Sequence, residues 1–227
     1  NGSGTIFVTG CNLRCAFCQN YQISQCGMGK ALTIEETVQI FFKLKEQGAE
    51  NINIVTGSHA IPFFAKAIKQ AKDSSLDLPI CWNCSAYESV EALEMLKGLV
   101  DIWLPDLKTL NPMMSEAVFK SADYPAAAKK AIRWMIKNTK SRFITVKDKA
   151  DPTQTKEKML SGLIIRHLVM PGRLDDTALT LDWLEKMTTI NPENTPCISL
   201  MMQYTPVSVD KSLFTAQELQ QRENALA

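Results

Sequence analysis

Three thiols recur in Gly10-Cys11-Asn12-Leu13-Arg14-Cys15-Ala16-Phe17-Cys18, spaced C-x3-C-x2-C, directly after the apolar run Thr5-Ile6-Phe7-Val8. Thiolates are soft ligands. Three of them in one tight turn can hold three irons of a cubane cluster and leave the fourth iron without a protein ligand, which makes it a place for chemistry. A zinc site normally uses a second C-x2-C knuckle or added histidines. This chain has no second knuckle near by and only two histidines, His59 and His167. Ferredoxin-type runs use a fourth cysteine, and the nearest spare, Cys26, sits at a longer spacing.

These residues resemble the signature of the radical SAM superfamily, C-x3-C-x-aromatic-C, with Phe17 in the aromatic place. The longer string, from Gly2-Ser3-Gly4-Thr5-Ile6-Phe7 through Gly10-Cys11-Asn12-Leu13-Arg14-Cys15 to Cys18-Gln19-Asn20, is similar to the branch that contains pyruvate formate-lyase activating enzymes and their less characterised homologues. The resemblance implies a 4Fe-4S cluster on Cys11, Cys15 and Cys18 and S-adenosylmethionine on the open iron. It further implies reductive cleavage of S-adenosylmethionine to a 5'-deoxyadenosyl radical that abstracts hydrogen from a substrate. Phe17 would then pack near the adenine. A low-potential donor such as flavodoxin or ferredoxin is the implied reductant, and a glycyl-radical enzyme or another protein or peptide is the implied target. A small-molecule substrate is the first alternative, and a non-catalytic electron-transfer module the second.

The elements that must position this loop can be followed along the chain. Thr33-Ile34-Glu35-Glu36 has the form of a capping box, and Ile34, Val38, Phe41 and Phe42 follow at helical spacing. Asn51 to Val55 reads as a strand, and Ile61, Phe64, Ala65 and Ile68 mark a second amphipathic helix. Leu78 to Trp82 predicts a third strand and Val90, Leu93, Met95 and Leu96 a helix. Asp101 to Leu104 predicts a fourth strand, stopped by Pro105. From Asn111 to Asn138 the pattern is helical but broken at Tyr124-Pro125, so the second helix is expected from Ala126 to Ile136. Arg142 to Pro152 reads as a solvated excursion. Leu163 to Val169 predicts a fifth strand, Leu179, Trp183, Leu184 and Met187 a helix, Cys197 to Met202 a sixth strand, and the tail after Pro206 a polar helix.

Alternating strands and helices with such crossovers require a parallel sheet with helices outside, either doubly wound or a barrel. The family resemblance implies an α/β partial (β/α)6 barrel of the radical SAM type. In both architectures the working face is at the carboxyl ends of the strands. The 227 residues, 45% of them hydrophobic, read as one domain spanning 1–227. The chain starts without Met and almost inside its first strand, so an upstream segment is expected to be missing. Twenty-five basic against 24 acidic residues leave a net charge of +1, which gives no reason to expect nucleic acid or an anionic membrane as partner. No apolar run is long enough for a membrane span. Seven cysteines with three in a cluster motif fit a reducing compartment, so a cytoplasmic location is expected.

The resemblance assigns further residues. The second strand ends in Thr56-Gly57-Ser58-His59, where the activating enzymes have Gly-Gly-Glu holding the methionyl amino group. The Glu is absent here, so the role passes to Thr56 and Gly57 only. His59 is a polar group behind the site, a substrate contact, or a polar residue opening the next helix. Asp106-Leu107-Lys108 resembles the family's active-site Asp-Leu-Lys, whose Asp also helps hold a monovalent cation. The partner acid of that cation falls at Asn83, which lowers the charge available to hold it. Cys81 and Cys84 read as buried thiols rather than a metal pair. Arg166 would be costly to bury without an anion. The family match of Arg166 to Gly172 implies the methionyl carboxylate as that anion, and a neighbouring Asp or Glu is the other possibility. His167 points the opposite way by strand alternation and reads as structural. Gln203 and Tyr204 are candidates near the adenosyl group or the substrate.

Overall fold

The computed structural model describes residues 2–148, 151, 153–189 and 195–226. The first strand, β1 (Gly4–Phe7), runs into the cysteine loop and a short helix, α1 (Tyr21–Ser24). The capping box forms as the sequence requires. Thr33 Oγ1 accepts the Glu36 N–H at 3.1 Å and the Glu36 carboxylate accepts the Thr33 N–H at 2.8 Å, which starts α2 (Ile34–Glu46). Then come β2 (Ile52–Val55), a 3-10 turn over Ser58–Ala60, α3 (Ile61–Asp73), β3 (Ile80–Cys84), α4 (Val90–Glu94) and β4 (Ile102–Pro105). The third strand thus lies two residues later than its apolar run suggests.

The break expected at Tyr124-Pro125 falls earlier. Helix α5 (Pro112–Phe119) ends at Lys120 in the left-handed conformation, φ 60°. Helix α6 (Tyr124–Asn138) begins at Tyr124 itself, because a proline in the first helical turn removes no helical hydrogen bond.

The expected excursion is also a strand. β5 (Arg142–Lys147) pairs antiparallel with the first half of β6 (Thr155–Leu168), a strand of 14 residues. Its Ile144 and Val146 line a chamber of about 620 Å³ beneath the sheet with Met159, Ile102 and Leu104. The hairpin is tied down by an ion pair between Lys158 and Glu50. The segment is solvated as expected, with Phe143 and Ile144 43% and 40% exposed, but it is paired as a strand rather than irregular; Lys149 and Pro152, also part of the expected excursion, lie outside the described residues. Helix α7 (Leu174–Thr188), β7 (Cys197–Met201) and α8 (Ala216–Leu226) complete the order. Trp183, Leu184 and Met187 are buried as expected, but Leu179 is 48% exposed.

The strands run β1-β2-β3-β4-β6, all parallel, with β7 parallel to the second half of β6. Ile52, Ile54, Ile80 and Trp82 are fully buried in the main core, together with Phe41 of α2 and Ile61, Phe64 and Ile68 of α3. Burial of each such side chain contributes about 1.5–3 kcal/mol. The alternate residues, from β1 to β7, surround one cavity. The sheet is therefore curled into an open, partial barrel: β1 and β7 are its edges, with no pairing between them among the described residues.

Candidate active site

The cavity at the carboxyl ends of the strands measures about 500 Å³ and is lined by Cys11, Cys15, Cys18, Asp106, Lys108 and Arg166 among others. The cysteine loop is held from several sides. Gly10 has φ +86°, and a Cβ there would lie 3.3 Å from His59 Nε2, so the turn into Cys11 needs glycine. His59 Nε2 in turn bonds the Thr9 carbonyl at 2.8 Å, which places His59 behind the loop rather than on the cavity wall. Thr9 Oγ1 donates to the Met28 carbonyl at 2.8 Å, and Asn12 Nδ2 donates to the Tyr87 carbonyl at 2.8 Å. Arg14 N–H and Ala16 N–H donate to the carbonyls of Phe119 and Val118, at 3.1 and 2.9 Å.

Burial pushes the Cys15 thiol up to about 12, with the Lys108 ammonium opposing it. Cys11 is raised for the same first reason, against a backbone N–H from Leu13 that reaches its Sγ at 3.4 Å. Unmetallated, these thiols stay protonated; a metal would hold them as thiolates. Among the described residues no three His, Cys, Asp or Glu side chains converge on one point as a single ion demands. Three soft donors spread around a cavity wall, one accepting an N–H bond, fit a cluster whose irons each take one thiolate.

The same cavity holds a charged network. Arg166 Nε donates to Asp106 Oδ1 at 2.7 Å and its Nη2 to Asn83 Oδ1 at 2.8 Å. Lys108 Nζ donates to Asp106 Oδ2 at 3.2 Å. Burial alone would lower the Lys108 pKa, but Asp106 and the cysteines hold it above the ordinary lysine value. Asp106 thus carries two cations. Asn83, where the family's second acid would fall, gives its oxygen to the guanidinium. A neighbouring Asp, one of the two anions expected for Arg166, is thus present.

Phe17 meets Phe119 and Tyr204 edge-on, ring centroids 5.8 and 6.2 Å apart, and Gln203 and Tyr204 line the same cavity. Thr56 lines it too, in a left-handed conformation at φ 62°. Gly57 does not: a Cβ there would come within 2.5 Å of the Trp82 ring, so its place is against the core. Cys81 and Cys84 are both buried and free; Cys26 is exposed. His167 is buried, Nδ1 bonded to the Leu107 carbonyl at 2.7 Å and Nε2 to Thr177 at 3.1 Å.

Several residues of the site were not picked out in the sequence. Asn53 lines the cavity between the buried Ile52 and Ile54, and the alternation Asn51-Ile52-Asn53-Ile54 is its signal, with apolar residues facing the helices and amides the barrel. Glu88, buried, hydrogen-bonds Ser58, so a carboxylate reaches the turn after β2 from another loop. Tyr124 Oη accepts the Lys108 N–H and donates to the Asp106 carbonyl, both at 2.8 Å.

The model of the Radical SAM superfamily matches residues 5–150, more than half of the chain. The chain belongs to the radical SAM superfamily. Radical SAM proteins use a 4Fe-4S cluster and S-adenosylmethionine. The chain is 31% identical over 212 residues to an uncharacterised protein of Methanocaldococcus jannaschii, MJ0674, covering 90% of this chain and 54% of that protein. It therefore spans about half the length of this curated relative. Among solved structures, the hydrogenase maturase HydG of Carboxydothermus hydrogenoformans has TM-score 0.57 at 13% identity, covering 99% of this chain and 51% of that one. Streptococcus suis SuiB bound to S-adenosylmethionine has TM-score 0.58 at 11% identity, covering 98% of this chain and 46% of that one. At such identities the likeness is one of fold, here the radical SAM partial barrel.

Proposed function

We propose that residues 1–227 form a radical SAM core whose target is a glycyl-radical enzyme or another protein or peptide. One observation carries the reading: Cys11, Cys15 and Cys18, from the loop after β1, share a single cavity with Asp106 and Lys108 after β4 and Arg166 of β6. Cys11, Cys15 and Cys18 would hold the cluster. When bound and reduced, such a cluster would supply the one electron for reductive cleavage of S-adenosylmethionine to methionine and a 5'-deoxyadenosyl radical able to take hydrogen from the substrate. Lys108 and Arg166 provide positive charge for the methionyl carboxylate, and Asp106 fixes both cations in place. Thr56 offers a hydroxyl to the methionyl amino group, while Phe17, Gln203 and Tyr204 line the part of the cavity left for the adenosyl group. Gly57 contributes by letting the turn after β2 close onto Trp82. Among the described residues β1 and β7 do not pair, which leaves the barrel open laterally and favours a substrate segment belonging to a large molecule.

Anaerobic reconstitution followed by dithionite reduction tests the reading: 5'-deoxyadenosine should form from S-adenosylmethionine. Deuterium should then pass into it from a glycyl-deuterated protein or peptide partner. A loaded cluster that yields no 5'-deoxyadenosine would overturn the catalytic assignment, and deuterium transfer only from small molecules would overturn the choice of target.

A further inference from the structure

The cysteine loop has two working faces. Cys11, Leu13, Cys15 and Phe17 line the inner cavity, whereas Arg14 and Ala16 line a separate cleft of about 120 Å³ on the other side of the same strand of chain. The alternation is fixed by the bonds from Arg14 and Ala16 to the end of α5. A single side chain ties the cleft to the cluster loop. Gln25 Nε2 donates to the Cys15 carbonyl at 3.3 Å, and Gln25 Oε1 accepts from Arg222 Nη1 of α8 at 3.2 Å. Ala16 and the Phe214 ring give the cleft its apolar part, and Arg222 lies 4.9 Å over that ring. Its charged groups are Arg14, Lys120 and Arg222 against Glu218, whose carboxylate is already engaged by the Thr215 N–H and hydroxyl. Three cations to one anion is a local excess on a chain of net charge +1.

We propose that this cleft is the docking site of an acidic, flavin-bearing electron-transfer protein. The proposal rests on the radical SAM reading, which demands an electron from outside. The step is a single-electron transfer: the reduced flavin is oxidised by one electron, the cluster is reduced by one, and no bond forms or breaks. The cleft adjoins the cluster loop directly, since its wall residues Arg14 and Ala16 flank Cys15 in the chain and Gln25 joins the Cys15 carbonyl to Arg222. The cationic rim draws an acidic surface, and the half-buried Phe214 offers an apolar contact beside it. Donor and substrate then approach the loop from opposite faces, so reduction does not require the substrate to leave.

The test uses cluster-loaded protein and an acidic flavodoxin. Lys120→Glu reverses a rim charge at an exposed residue outside the cavity, and should raise the flavodoxin Kd about tenfold at low salt. That difference should vanish at high ionic strength, where exposed charges are screened. Flavin oxidation followed by stopped-flow absorbance should slow in parallel, while dithionite-driven 5'-deoxyadenosine formation stays at the wild-type rate. Arg14→Gln should act in the same direction, with cluster absorbance confirming that the loop still loads. Equal affinities for wild type and Lys120→Glu, or an affinity insensitive to salt, would overturn the docking site. Loaded wild type that gives no product even with dithionite would instead sink the functional reading.

Discussion

Arg166 and Asp106 meet at 2.7 Å across neighbouring strands, and Asp106 also lies 3.2 Å from Lys108. Their backbones are joined as well, the Leu107 N–H donating to the Arg166 carbonyl at 2.8 Å. One carboxylate therefore sets the position of two cations at the mouth of the cavity. Asp106→Asn keeps the shape but leaves Arg166 and Lys108 facing each other without their anion. A stability loss of about 1–3 kcal/mol is expected, since the pair is partly screened by solvent. Urea titration checks it. Arg166→Lys should weaken S-adenosylmethionine binding although the charge remains, because an ammonium cannot bridge Asp106 and Asn83 as a guanidinium does.

Thr56 is a β-branched residue held at φ 62°, a conformation that costs about 1 kcal/mol or more and persists only where the surroundings impose it. Its N–H is fixed to the Asn83 carbonyl at 2.9 Å, and its side chain is on the cavity wall. Thr56→Gly should therefore raise stability by about 0.5–1 kcal/mol while raising the KM for S-adenosylmethionine. A variant that gains stability and binds S-adenosylmethionine as wild type does would remove Thr56 from the cofactor contacts.

Glu88 gives stability a pH dependence of predictable sign. Burial pushes its carboxyl above the ordinary value of 4.5, and the hydrogen bond from Ser58 opposes this without cancelling it. The folded protein then keeps a proton that the unfolded chain has already released. The contribution to stability is full below the ordinary glutamate value and is lost as pH rises through the raised one. Glu88→Gln, neutral at every pH, should flatten that decline. Thermal unfolding of the two proteins across mildly acidic to mildly alkaline pH makes the comparison, and parallel curves would mean that Glu88 is charged in the folded state throughout.

What could be read from the sequence is what depends on local spacing. The cysteine triad, the Thr33 capping box and the strand alternation that turns His167 away from Arg166 all act within a few residues. The barrel itself came from alternation plus family resemblance, since the same pattern allows a doubly wound sheet. Contacts made by the fold left no local mark. Glu88 reaches Ser58 from a different loop, and Tyr124 reads as a break beside Pro125 until α6 brings its hydroxyl to the backbone of 106–108. The β5–β6 hairpin was hidden for a related reason: what makes it a strand is pairing with residues 155–161, while Ile144 stays 40% exposed even where it lines the chamber.

Tyr124 carries the last prediction. Its ring is completely buried, packed against Phe119 and Tyr87, and its hydroxyl closes a small circuit by accepting the Lys108 N–H and donating to the Asp106 carbonyl. Tyr124→Phe preserves the packing and removes one oxygen. Two backbone groups flanking Leu107 then lose their partner in a buried region, which should cost about 1–3 kcal/mol. The same two groups set where Asp106 and Lys108 leave the strand, so their side chains should lose definition in the cavity. The expected kinetic result is a raised KM for S-adenosylmethionine with kcat changed less, because the cysteine loop is untouched and cluster absorbance should be that of wild type. An equal fall in kcat with KM unchanged would show that Tyr124 acts on the reaction rather than on the placement of Asp106 and Lys108.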